Sequence, residues 1–361
     1  MNGPNAVATF ARTWADHQQP PANPQSPHVL ANAATDLARR HRIGQLFEWT
    51  CFGSTWFGIA VLAVLLAGIS WQAAGWLTWD FLTHYHSTKA AKAGILAGLW
   101  GSIWLIALTA LFAVPVGVGA AIYLEEYGRD SKLKRIIQIN LSNLAGVPSI
   151  VYGILGLTAF VRLFGMIPAG LKSVSFKCTL LPALKVTIPL PLGPTIISGA
   201  LTLGLLVLPV IIVAAQEALR AVPSTIRTAS YALGATQWQT IRHQVLPAAM
   251  PGISTGVILA LSRAMGESAP LIMVGALTSI SFCPGKLESI GQVFSNPSGV
   301  LQAPFDSFTT LPIQIYNWST RPEPEFQHVA AAGILVLLAV LLCLNAAAIL
   351  IRQRFQKNTK W

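Results

Sequence analysis

Charge is what this 361-residue chain has least of. Asp, Glu, Lys and Arg make up 10% of it, against about 25% in soluble domains. Acidic residues are the scarcest, 13 Asp and Glu against 24 Lys and Arg, for a net charge of +11. The deficit excludes an ordinary water-soluble domain. The positive excess does not point to nucleic acid, because no dense basic tract or aromatic reader motif accompanies it. The four cysteines (Cys51, Cys178, Cys283, Cys343) form no CxxC pair and no Cys/His cluster, which leaves no zinc or redox motif. No Gly-x-x-x-x-Gly-Lys-Ser/Thr segment occurs, so the chain lacks that cradle for nucleotide phosphates. Nor do His, Arg and Asp gather as a membrane phosphatase needs; His84 and His86 read as solvated loop residues. Nothing in the sequence calls for a cofactor or a metal.

What the chain has instead is apolar length. Its residues are 53% hydrophobic and its mean hydropathy is +0.57. A membrane helix needs about 20 predominantly apolar residues. Six stretches qualify, near Trp49–Ser70, Gly94–Tyr123, Leu141–Phe164, Ile196–Gln216, Gly252–Leu277 and Val329–Ile351. The fold expected is therefore an all-α, multi-pass integral membrane bundle of six transmembrane helices. Pro115 is expected to interrupt the second span. Pro148 and Pro270 are expected to bend the third and fifth.

The layout follows. Residues 1–48 are polar, contain Pro20, Pro21, Pro24 and Pro27, and lack the apolar core of a cleaved signal peptide; a disordered tail is expected. Residues 49–93 hold the first span and an outer loop, with Trp49, Trp71, Trp76 and Trp79 suited to an interfacial belt. Residues 94–351 form the main transmembrane domain, and 352–361 a basic tail. Lys and Arg set the orientation. They concentrate at Arg39, Arg40 and Arg42, at Arg129–Arg135, along 220–242 and after Arg352. Those segments share one side if both termini are cytoplasmic. The outer segments 165–195 and 278–328 are rich in proline and are expected to be irregular but packed. They either cap the bundle or dock an external partner. Cys178 and Cys283 both fall in these outer segments, so a disulfide between them is expected if their Cα atoms approach within about 7 Å.

Two regions carry chemistry. The fifth span contains Arg263 and Glu267, four residues apart and so on one face of a continuous helix. From an entry near Gly252, a rise of 1.5 Å per residue puts them about 17 and 22 Å along it. A charge at mid-bilayer costs about 2.5–3.5 kcal/mol on insertion scales. Such residues pair with each other or face water, and Arg is the side chain best shaped to grip an oxyanion. The alternatives are an anion pathway and a structural ion pair. Ser149, Tyr152 and Ser262 are weaker pathway candidates, since small polar groups in membranes more often mediate packing.

The second region is the loop 221–250, amphipathic and too polar to span. Ser224 suits an N-cap, Gly234 suits the left-handed residue that stops a helix, and Thr236 with Gln239 matches a capping box. Leu246-Pro247 is expected to end the second helix. Two short helices bent at a glycine could press on a cytoplasmic partner or lie on lipid headgroups.

Ala229-Ser230, Gly234 and Leu246-Pro247 resemble the cytoplasmic coupling loop of binding-protein-dependent ABC importer permeases. Thr228 stands where that pattern has Glu, Ser230 replaces an Ala and Gln244 an Ile. Gly146–Gly153 and Ser262–Leu271 are similar to the permeases of Pst-type phosphate importers, and Ala269-Pro270 to their A-type subunit. The resemblance implies a type I importer permease in the bacterial inner membrane, half of a phosphate pathway and not itself an enzyme. It implies a sister permease, a cytoplasmic ATPase dimer that the loop residues Thr228, Ala229, Ser230, Gly234, Leu246 and Pro247 would engage, an external phosphate-binding protein, and surrounding lipid. The rivals are the sister C-type subunit, a sulfate-type permease, and a stand-alone anion transporter or channel, though no internal repeat supports the last.

Overall fold

A computed structural model describes residues 27–128, 131–163, 174–181, 184–190, 192–285 and 297–357. The chain divides into two compact units after Gly68. Helix α1, Pro27–Ala73, supplies the described part of the first unit and ends within the second. It starts well before the span expected at Trp49, so residues 27–48 are helical rather than a disordered tail. Past Pro27 the sequence is free of proline and runs through good helix formers such as Ala and Leu; proline itself suits a first helical turn. Trp49, Phe52, Trp56 and Phe57 of this unit are exposed.

The second unit is built around one helix. Helix α2 (Trp79–Thr83) and α3 (Leu96–Ile122) lead into it, α3 running on through a π-turn at Tyr123–Tyr127. Pro115 lies inside α3 without interrupting it. The third expected span is broken. Helix α4 (Lys132–Leu144) and α5 (Ser149–Gly156, extended by a π-turn to Val161) meet at 106°. Pro148 lacks an amide donor and drives Val147 toward extended backbone, so it opens a new helix instead of bending an old one. The start of the expected third span, Leu141–Leu144, therefore belongs to the amphipathic α4. The segment 174–190 is not irregular: β1 (Val174–Leu181) and β2 (Leu184–Leu190) form an antiparallel hairpin with Phe176 opposite Ile188 and Cys178 opposite Val186. The signal was in the sequence, where Val, Phe, Cys and Leu alternate with Ser, Lys and Thr at the period of a strand.

Helix α6 (Ile196–Arg220) is the central post, two-thirds buried in its most apolar window. Helices α3 and α9 (Leu246–Gly266) pack along it, with α13 (Pro324–Lys357) beside α9. Contact with α9 rests on small residues. Gly252 and Gly256 stand against Ala218 and Ala214, so two small-xxx-small stripes face each other and the backbones close up. A Cβ at Gly252 would sit 2.7 Å from the Ala218 methyl. Val at Gly256 overpacks this seam, which typically costs about 1–3 kcal/mol. We expect Gly256→Val to lower the thermal midpoint of the solubilised protein clearly, and Gly119→Val, which faces open space, to change it little. Equal midpoints for the two variants would argue against a tight seam.

At the end opposite loop 221–250, residues 303–319 are packed. Helices α11 (Pro297–Gln302) and α12 (Leu311–Ser319) follow the fifth span, and Phe308, Leu311, Ile313 and Trp318 are fully buried. Five described helices are long and apolar enough to cross a membrane, six if α4 and α5 count as one broken span.

Two expectations at this end are corrected. His86 is not a solvated residue: its ring stacks on Trp318 and accepts a hydrogen bond from Arg321 at 3.0 Å. Burial first, and then the Arg321 charge, lower its pKa. His84 does remain exposed, beside Asp80. Cys283 is a free, buried thiol, not half of a bridge to Cys178. It packs with Leu96, Trp100 and Val300 and hydrogen-bonds Tyr85, and burial pushes its pKa up. A thiol already enclosed in that way is not turned toward a partner sulfur. The side chain of Cys178 lies outside the described residues.

Candidate functional site

The loop between α6 and α9 is built by local rules. Pro223, with extended backbone, precedes α7 (Ser224–Ala232), so Ser224 is the first helical residue rather than the cap. Gly234 follows with φ +80, and the Ala235 amide closes the turn onto the Ser230 carbonyl at 3.2 Å. This is the left-handed stop that glycine makes cheap. Thr236 and Gln239 form the full capping box at the start of α8 (Gln237–Thr240). The Ser230 and Thr240 hydroxyls meet at 2.8 Å and tie α7 to α8 across the bend. Thr228 turns back on its own helix, bonding the Ser224 carbonyl at 3.0 Å.

Leu246-Pro247 does not end the second helix. A π-turn at Ile241–Val245 joins α8 to α9, giving one 30-residue helix from Gln237 to Gly266. In the π-turn the Leu246 amide bonds the Ile241 carbonyl; this wider ring accommodates a proline that has no amide to donate. At 1.5 Å per residue the rod is about 45 Å long. The loop therefore stands at one end of a membrane-length rod. Its tip is apolar and bare: Leu233 is 88% exposed, with Tyr231 and Trp238 also exposed. Ala229, Ser230, Leu233 and His243 help line an open groove of about 500 Å³ beneath it.

Five charged residues at this end were not read as a unit from the sequence. Glu126, at the end of α3, receives Arg227 of α7 through Nη2 at 2.6 Å and Nε at 3.2 Å. Arg227 also donates to the Leu219 and Val222 carbonyls at 3.0 and 2.8 Å. Arg220 bonds Glu125 at 3.0 Å and Glu217 at 3.2 Å. The pair Glu217–Arg220 follows from helical spacing. The cross-helix bonds do not, though an acidic pair in a chain this poor in carboxylates was the available signal.

The second region lies near the far end of the rod. Helix α9 stops at Gly266, and Glu267 is extended, φ −80 and ψ 122. Arg263 and Glu267 thus do not share a helical face. They meet because the backbone turns: Arg263 Nε lies 3.5 Å from Glu267 Oε1. Arg263 is also about 40 Å from the start of its helix at Gln237, not 17 Å from an entry at Gly252. Its side chain is 59% exposed in this chain, that of Glu267 20%. Pro270 does not bend the helix; it sits in the first turn of a new one, α10 (Ala269–Val274). Irregular backbone at membrane depth is tolerated where it is buried in protein or lines a wet cavity.

The two broken segments touch. Helix α5 packs on α10, and a Cβ at Gly153 would lie 2.7 Å from the Pro270 Cα. Tyr152, Ala260, Ala264 and Leu271 share one buried cluster. The Tyr152 hydroxyl bonds the Leu144 carbonyl at 2.8 Å, which braces the 106° break between α4 and α5. Ser149 is the first residue of α5 and is half-buried. Ser262 goes elsewhere: its hydroxyl bonds Asn345 of α13 and the Ile258 carbonyl. Of the five pathway candidates, Arg263 and Glu267 meet, Tyr152 braces the neighbouring break, and Ser262 joins two helices.

Known proteins show similar sequences. A probable ABC transporter permease of Bacillus subtilis, YqgI, is 32% identical over 302 residues, covering 81% of this chain and 91% of that protein. The phosphate transport system permease protein PstA 1 of Mycobacterium tuberculosis is 31% identical over 339 residues, covering 91% and 92%. The fold is similar to a crystal structure of a bacterial ABC transporter that imports the polysaccharide alginate, with TM-score 0.54 at 13% identity over 88% of this chain and 99% of the other. Residues 113–360 match the family described as binding-protein-dependent transport system inner membrane component. The chain belongs to that family, the multi-pass, non-catalytic inner-membrane permease subunits of ABC importers.

Proposed function

We propose that this chain is the A-type permease subunit of an ATP-driven importer of inorganic phosphate. The observation that carries the reading is Arg263. It stands beside a helix break, its guanidinium mostly uncovered by its own chain and only loosely held by Glu267 at 3.5 Å. A cation at that place in a bilayer is costly, and a cavity completed by a sister permease is where it could meet a dianion. The 31% identity to a phosphate permease over 91% of the chain supports phosphate as the solute.

The division of labour follows from the residues. Arg263 contacts the anion in transit. Glu267 holds Arg263 when the site is empty and competes with the anion for it, which favours release. The family implies an ATPase and a binding protein as partners. In this reading the ATPase is a cytoplasmic dimer that grips the Gly234 knob, the binding protein delivers phosphate from outside, and both termini of this chain are cytoplasmic. Nucleotide-driven closure of the dimer biases the bundle between two access states.

Purified alone into liposomes, the chain is expected to accumulate no phosphate with or without ATP. Joined by sister permease, ATPase and binding protein, it is expected to import labelled phosphate in preference to labelled sulfate. Uptake by the lone chain, or equal uptake of sulfate by the complex, would reject the proposal.

A further inference from the structure

Glu126 is bonded by both halves of the knob. Its carboxylate is taken by Arg227 of α7, on one side of the Gly234 bend, and its backbone carbonyl by Gln237 Nε2 of α8, on the other, at 2.6 Å. The carboxylate is 7% exposed and Arg227 20%. Arg227 also donates to the Leu219 and Val222 carbonyls at the end of α6. The chain connects the knob to α6 and to α9 only. Nothing in the covalent path joins it to α3, which is distant in sequence.

From this junction we infer that Glu126 and Arg227 are positioning residues that make α3 a driven element of the transport stroke. A fork of guanidinium on carboxylate fixes direction as well as distance, which a single lysine contact does not. With Gln237 on the carbonyl, neither half of the knob can swing without carrying the end of α3. Helix α3 lies along the central post α6, so a displaced knob shears α3 and α6 together instead of flexing the loop alone. The remaining link, α9, is continuous with α8. The knob therefore pulls on three helices as one body.

The inference rests on the knob being the ATPase contact, and the test separates the two. In the reconstituted complex, co-purification of the ATPase reads the contact, and phosphate imported per ATP hydrolysed reads the lock. Glu126→Gln and Arg227→Gln are expected to keep ATPase co-purification and binding-protein-stimulated hydrolysis, and to lower phosphate per ATP at least tenfold. Arg227→Lys, which keeps the charge and loses the fork, is expected to lie between them and the wild type. A wild-type ratio in both single variants, or a full wild-type ratio in Arg227→Lys, overturns the lock. Normal recruitment of ATPase to a knob disabled at Gly234 overturns the reading beneath it.

Discussion

Replacing Arg263 and Glu267 together by leucine is expected to leave a complex that assembles normally and imports no phosphate. The contrast is with a structural bridge. Removing one member of a buried ion pair costs about 3–5 kcal/mol, while replacing both by apolar residues is often neutral. A structural pair would therefore be damaged by each single change and rescued by the double. The geometry favours the other outcome. A single contact at 3.5 Å, with Arg263 59% uncovered by its own chain, is not an enclosed, closely bonded pair; facing a wet cavity it is worth about as little as a solvent-exposed pair, about 0–1 kcal/mol. Each single variant should consequently assemble as well as the double does. Uptake should be lost whenever Arg263 is lost, including in the exchanged pair Arg263→Glu with Glu267→Arg. Glu267→Gln should keep some uptake, with slower release of the anion. The measurement is labelled phosphate uptake beside the yield of intact complex. Restored uptake in either double variant would falsify the substrate role of Arg263.

Gly234→Val should uncouple the knob without expelling the protein from the membrane. Gly234 has φ +80, and a Cβ placed there would meet nothing within 4 Å. The penalty is therefore conformational and not steric, about 1–2 kcal/mol for a side chain held in left-handed backbone. That amount changes the population of the bent loop by a factor of about 5–30. Uptake and ATPase co-purification should fall by roughly that factor in Gly234→Val, less in Gly234→Ala, and least in Gly234→Asn, which tolerates the left-handed region. A knob lying on lipid headgroups predicts something different: weaker membrane association in the same series, with recruitment unaffected. Normal recruitment and normal uptake in the valine variant would remove the loop from the coupling path.

Much of this was legible in the sequence because it is local. The Thr236/Gln239 capping box and the Gly234 stop depend on a few neighbouring residues, and both formed as read. The apolar runs likewise located the spans centred near residues 109, 206 and 340. Span boundaries were less legible. Residues 27–48 looked like a tail because the prolines before them dominated the impression, although the segment after Pro27 is rich in helix formers. The strand alternation in 174–190 was present but was masked by five nearby prolines.

Composition alone determined that the chain crosses a membrane, and motif spacing placed a bent loop between two spans. These are properties of short windows, set by transfer free energy and by backbone preference. Only the tertiary structure decided where helices stop inside the apolar layer. Hydropathy does not report a break such as Gly266–Ser268, because the chain on both sides stays apolar and the freed backbone groups are satisfied by neighbouring protein or by water in a cavity. Only the tertiary structure also assigned partners to polar groups. Ser262 found Asn345 across 83 residues, and Arg227 found Glu126 across 101. Both pairings follow from α3, α6, α9 and α13 being brought side by side, which no single segment of the sequence encodes.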